Sequence, residues 1–104
     1  MPYATGGDII ETDGTYWYHA FLSSGTFTPQ KGLSCDVLTI AGGGSGGGGN
    51  GAGGGGAGGL YYSSGNSVAS AQTVTIGAGA AGRTTSGNGT NGSNSQFGSL
   101  TAAV

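Results

Sequence analysis

Residues 42–59 read GGGSGGGGNGAGGGGAGG, and no other feature limits the possible folds of the chain so strongly. Fourteen of these 18 residues are Gly, and the four exceptions, Ser45, Asn50, Ala52 and Ala57, are all small. Ordering such a tract is expensive, because Gly loses more backbone freedom on folding than any other residue. The exceptions keep no fixed phase of three, which excludes a collagen repeat. Two readings remain. As a flexible linker the tract has a reach of about 21–25 Å. As packed polyproline-II rods, the arrangement called polyglycine II, it repeats every three residues and rises about 3.1 Å per residue, so it forms one rod of about 56 Å or two or three shorter ones. Rods pack side by side only where no Cβ intervenes, and Cα–H···O contacts then add to the hydrogen bonds between them.

What flanks the tract favours order. Val68, Ser70, Gln72, Val74 and Ile76 alternate with Ala69, Ala71, Thr73 and Thr75, a period-2 pattern that predicts a strand over 68–76. A second glycine-bearing excursion, 77–92, is followed by the strand-like close 97–104. Strands thus alternate with glycine excursions that leave a sheet and return to it. Upstream, 8–12 and 15–22 are rich in β-branched and aromatic residues and flank Asp13-Gly14. That pair predicts a hairpin with a type I′ turn. Thr26-Phe27-Thr28 predicts a short strand ended by Pro29, and 33–41 predicts another. Cys35, Val37 and Thr39 lie on one face of that last strand and Leu38 and Ile40 on the other, the pattern of a central strand.

The chain has 104 residues, a length for one domain or one segment of a larger assembly. It holds only 16 Leu, Ile, Val and Phe, about 15%, below the ~20% at which a conventional core becomes doubtful. The formal charge is only −2, so charge-driven disorder does not describe it. The expected fold is all-β: a small antiparallel β-sandwich-like domain with glycine-rich loops or polyglycine-II rods, completed by oligomerisation. Within this one domain, 1–41 is an aromatic β segment, 42–59 the polyglycine tract, and 60–104 strands with a second glycine-rich loop.

Charge excludes several functions. Two basic residues cannot hold a polyanion by counterion release, so neither a nucleic acid nor an anionic membrane surface is an expected partner. No run of 18 apolar residues is present, so membrane insertion is not expected. The N-terminus has neither the basic start nor the apolar stretch of a signal peptide, and the general secretory route is not expected. Without such a signal, Asn88-Gly89-Thr90 and Asn91-Gly92-Ser93 read as polar loop residues and not as glycosylation sites. The single cysteine, Cys35, forms no internal disulfide, anchors no zinc site, and reads as a small buried hydrophobe.

Catalytic patterns are weak. Gly77-Ala78-Gly79-Ala80-Ala81-Gly82 follows a strand and matches the dinucleotide-binding expression G-x-G-x-x-G. The chemistry also needs a helix opening at the glycines and an acidic residue about 20 positions on. The sequence 83–92 is no helix former, and no Asp or Glu follows Asp36. Asp8, Glu11, Asp13 and His19 read as turn chemistry, solvated strand faces and a half-buried strand histidine. No enzyme activity and no cofactor or metal are expected. Tyr61 and Tyr62 beside the glycine tract read as anchors closing the excursion, or as exposed rings that stack on sugar faces. With Asn50 they are the candidate surface contacts.

Four elements in order carry a resemblance. They are Tyr16-Trp17-Tyr18-His19-Ala20-Phe21 with Ser24-Gly25-Thr26-Phe27-Thr28, then 35–44, then 73–79, then Gly92-Ser93-Asn94-Ser95-Gln96-Phe97-Gly98. Together they resemble glycine-rich domains of bacteriophage tail-fibre and other virion surface proteins, over about residues 14–104. The resemblance implies a structural or adhesive component of the virion surface, a tail fibre, fibre tip or head fibre, that takes part in host attachment. Its implied partners are further copies of itself, as a trimer, other virion proteins, and a host-surface glycan or receptor. In a trimer the neutral sequence after Asp36 finds partners, which accounts for the few charges spent on solubility. The alternative is a polyglycine-II binding module such as an ice-binding or matrix protein.

Overall fold

The structure, a computed structural model, describes residues 3–104. The chain is all-β, and its described residues contain no helix. In chain order the strands are β1 (Ala4–Thr5), β2 (Ile9–Thr12), β3 (Trp17–Ala20), β4 (Gly25–Pro29), β5 (Leu33–Ile40), β6 (Leu60–Val68), β7 (Gln72–Thr75) and β8 (Gln96–Phe97). Every strand pairing is antiparallel. They form a four-stranded sheet in the order β1-β4-β7-β8 and two ribbons, β2-β3 and β5-β6.

The β2-β3 hairpin sits where Asp13-Gly14 places it, but the turn is not the two-residue type I′ form. Thr12 pairs with Trp17, which leaves residues 13–16 as the loop. Of these only Gly14 has a positive φ, at 93°. The Asp13 side chain supplies the remaining order. Its Oδ1 accepts from the amides of Tyr16 and Thr15 at 2.7 and 2.8 Å, and its Oδ2 accepts from the Tyr18 hydroxyl at 2.9 Å. An Asp side chain that satisfies nearby amides replaces the backbone geometry a tighter turn would need.

A small core joins the sheets. Ala4, Phe27, Val68 and Val74 are buried, with Phe21, Leu33, Cys35, Ile76 and Phe97 packed on them. Phe27 is the hub. Its ring meets His19 edge-on, at 5.2 Å between centroids, and tilts against Phe97 at 5.7 Å. His19, half-buried on its strand, has Nδ1 2.7 Å from the Gly6 carbonyl oxygen. A carbonyl only accepts, so Nδ1 carries the proton. Gly6 has a φ of 114°, and a Cβ there would run into the Thr26 carbonyl, so the chain passes close against β4 at this point. Asp8 then fastens the turn after β3 by accepting from the amides of Leu22 and Ser23.

Two strand expectations are corrected. The apolar residues on both faces of 33–41 suggested a central strand, yet β5 pairs only with β6. Leu38 and Ile40 lie on an exposed face and do not contribute to the core. The single strand expected over 68–76 is instead the end of β6 and the separate β7, with Ala69–Ala71 between them. The expected closing strand over 97–104 is reduced to β8 and one bridge between Ser95 and Ala103.

The glycine excursions lengthen the molecule to 54 × 23 × 19 Å. Its radius of gyration is 16.7 Å, against about 13 Å for a compact chain of this length.

Hydrogen bonding to Tyr16, then Thr15, then Tyr18 holds the Asp13 carboxyl below the usual carboxylate range. Such a lowered group stabilises the fold above its unfolded pKa of about 3.9, and that contribution is lost as pH falls through its own lower value. An NMR titration should therefore show the Thr15 and Tyr16 amides moving with an inflection below that of a free aspartate. Tyr18, raised chiefly by donating its hydroxyl to Asp13, should titrate lower in Asp13→Ala. An unmoved Tyr18 titration would contradict the bond.

Candidate functional site: the glycine bundle and its tip

Gly-rich sequence from both excursions forms one bundle of extended rods. The first rod, 41–48, continues directly from β5 and lies at its centre. Ala41, Gly44 and Gly47 donate to the carbonyls of Gly59, Gly56 and Gly53 at 2.9, 2.9 and 3.0 Å. Their neighbours Gly42, Ser45 and Gly48 donate to those of Ser93, Thr90 and Gly87 at 3.0, 2.9 and 2.8 Å. Both series advance by three residues, and each runs to a different antiparallel neighbour, the rods 53–59 and 87–93. A fourth rod, 77–82, closes the set. Ala80 donates to Gly43 at 2.9 Å, and Ser93 donates to Ala78 at 2.9 Å. All glycines of rods 41–48, 53–59 and 77–82 have negative φ, the sign of the left-handed polyproline-II helix. A three-residue turn without internal bonds, satisfied by neighbours on several sides, is the polyglycine-II arrangement.

Side-chain volume is excluded with the same period. A Cβ on Gly42 or Gly48 would run into the carbonyl of Ala78 or Thr85. One on Gly43 or Gly46 would lie 3.3 or 3.1 Å from the oxygen of Gly56 or Gly53. One on Gly44 or Gly47 would lie 3.2 or 3.1 Å from that of Thr90 or Gly87. The central rod thus turns a Cα hydrogen toward a neighbouring carbonyl on each of its three faces. Ala41 and Ser45 are the exceptions, and the Ser45 Oγ is used, accepting from the Thr90 amide at 2.9 Å.

The bundle is rooted in the sheets through Ser95, which is fully buried. Its Oγ accepts from the Gly77 amide at 2.8 Å, while its backbone bridges to Ala103. At the opposite end, Gly49 and Gly51, with φ of 95° and 73°, turn the first rod into the second. The other two rods are joined by 83–86. A bridge between Gly48 and Gly87 ties the two turns together, so they form one tip. Arg83, the one charged residue after Asp36, closes its own loop by donating to the Ser86 carbonyl at 3.0 Å and the Thr85 hydroxyl at 3.4 Å.

The candidate residues lie apart. Asn50 is exposed at the tip, whereas Tyr61 and Tyr62 are in β6 at the root, separated from it by a rod about 20 Å long. Tyr61 is half-buried on the inner side of its ribbon, and Tyr62 is exposed on the outer side. Between the rods 53–59 and 87–93 runs a shallow groove of about 300 Å³, floored by Gly44, Ser45 and Gly47 and edged by Gly54, Asn88 and Thr90. It offers amides, carbonyls and hydroxyls. The G-x-G-x-x-G segment is the rod 77–82, and no helix follows it. A Cβ on its first glycine, Gly77, would strike the Ser93 carbonyl, so that glycine serves rod packing. Cys35 is half-buried, and burial, followed by the charge of Asp36, raises its thiol pKa, which leaves it protonated at neutral pH. Among the described residues no three His, Cys, Asp or Glu cluster to hold a metal ion.

Sequence reasoning missed Ser95 and the tip's Arg83. Ser95 lies in the Gly92–Gly98 element, between those two glycines and two residues before an aromatic, which is the signal that could have marked it.

Positions of close approach predict a split in glycine tolerance. Gly55 and Gly58 face the carbonyls of Gly44 and Ala41, whereas Gly54 faces open space. Gly58→Ala and Gly55→Ala should each cost about 1–3 kcal/mol, lowering Tm by roughly 4–8 °C per kcal/mol. Gly54→Ala should stay within about 1 kcal/mol of the parent or be stabilising. Thermal unfolding followed by circular dichroism distinguishes them, and equal effects at all three would contradict the packed bundle.

A family model described as a glycine-rich domain matches residues 22–104. No curated protein and no solved structure is a match.

Proposed function

Taking as premise that the chain belongs to this glycine-rich domain family, we propose that it is a structural and adhesive component of a bacteriophage virion surface, as a tail fibre, fibre tip or head fibre. It assembles as a homo-oligomer, a trimer, attached to other virion proteins, and presents its tip to a host-surface glycan or receptor. One observation carries the reading: a rod bundle held by main-chain bonds carries two loops at a single distant end. Main-chain bonding on several sides makes such a bundle stiff, and a stiff stalk keeps a contact surface clear of the particle. The tip loops offer Asn50, Thr84, Thr85 and Ser86, groups that bond sugar hydroxyls without a charge to neutralise.

The ordered bundle favours a second reading as well. Regular rods expose a repeating lattice of small residues, which suits a polyglycine-II binding module for ice or a matrix. The protein should be found at fixed stoichiometry in gradient-purified particles, and Asn50→Ala combined with Thr84→Ala should weaken adsorption to host cells while leaving the circular dichroism unchanged. Absence from particles together with thermal hysteresis in solution would replace the first reading by the second.

A further inference from the structure

The β5-β6 ribbon has one face turned to the core and one turned outward. On the outward face the register sets Leu38 opposite Tyr62 and Ile40 opposite Leu60. These four side chains are 58, 57, 56 and 63% exposed, and they form one two-by-two apolar block. A solvated sheet face alternates polar residues at such positions. Asp36, the one charged residue on this strand, sits in the β-bulge between Cys35 and Val37, at the edge of the block, with its carboxylate engaged by the Gly65 amide at 3.0 Å. The block itself carries no charge. A two-stranded ribbon is marginal without a further layer, and this one has a layer on one side only.

Surface area shows how much room the elongated molecule has for an interface. The accessible surface is 6482 Å². A folded monomer of 9.8 kDa is expected to expose about 5,200 Å². The excess of about 1,300 Å² is that of an elongated chain without neighbours, and a stable interface takes about 800 Å² from each partner. On the bundle the exposed surface is amide and hydroxyl, which water satisfies; on the β5-β6 ribbon, as on the β2-β3 hairpin with Ile9, Ile10, Trp17 and Tyr18, it is aliphatic and aromatic.

We propose that the Leu38, Ile40, Leu60 and Tyr62 block is the surface by which copies of this chain pack against one another. The inference rests on the homo-oligomer reading above and assigns it a place. A second copy fits because an uncharged block brings no like-charge repulsion when it meets itself about a symmetry axis. Position fits too. β5 runs directly into the first rod and β6 receives the second, so copies joined here are joined at the root and their tips stay free.

Sedimentation equilibrium of the full chain over a range of concentrations tests this. The parent protein should form a discrete oligomer, and Leu38→Lys with Leu60→Lys should be monomeric with unchanged circular dichroism. The milder Leu60→Ser, for the case in which the double variant fails to fold, should raise the dissociation constant about tenfold or more. A parent oligomer that neither variant weakens would overturn the interface and leave the homo-oligomer reading standing. A parent protein monomeric at every concentration would overturn both, while its presence or absence in virions is decided separately.

Discussion

The hydrogen bond from one rod's amide to the next rod's carbonyl, repeated every three residues, is the interaction on which this structure depends. It is available only where two backbones approach with no Cβ between them, so it sets the composition. Each such bond is worth only about 0.5–1.5 kcal/mol net, and ordering a residue costs a similar amount. Rods do not stand alone on these terms. They stand because both ends are fixed: the root by Ser95 and by the run of β5 into 41–48, the tip by the Gly48–Gly87 bridge and the Arg83 staple. The small core around Phe27 therefore has a duty beyond its size, since it holds the sheets from which every rod departs.

Much of the β framework was legible because it depends on local chemistry. Asp13-Gly14 marked the hairpin, and the bounds of β5 matched its apolar run to within a residue. The length of β6 was not legible, because Ser63-Ser64-Gly65-Asn66-Ser67 reads as a loop. Side chains from across the ribbon hold it extended. Asn66 donates to the carbonyls of Cys35 and Ser63, and Asp36 accepts from Gly65, whose φ of 68° accommodates the irregularity. The two bonds that cross the ribbon, at separations of 29 and 31 residues, leave no periodic trace.

The rods show the opposite case, a strong period absent from the sequence. No phase of three is visible in 42–59, yet the bonding advances strictly by three. The reason is the position of the first rod. The outer rod 53–59 is open at Gly53, Gly54 and Gly56 and closed at Gly55 and Gly58, so side chains are tolerated on part of it, as at Ala57. The central rod meets a neighbour on all three faces, so Gly occupies all three phases and only Ser45, whose hydroxyl is bonded, interrupts it over 42–48. Asn50 and the tyrosines illustrate a related limit. Ten residues lie between Asn50 and Tyr61 in the sequence, and the rod that they form carries the two to opposite ends.

The main-chain character of the bundle also shapes how stability changes with temperature. Exposure of apolar surface raises the heat capacity of unfolding and exposure of polar surface lowers it. Among the described residues six apolar ones are buried beside a bundle of amide bonds, so the apolar contribution is small and the amide contribution opposes it. A low heat-capacity increment flattens the stability curve. The fold then gives up less of its stability on cooling than an apolar core of the same size, and its working range is broad where its maximum stability is modest.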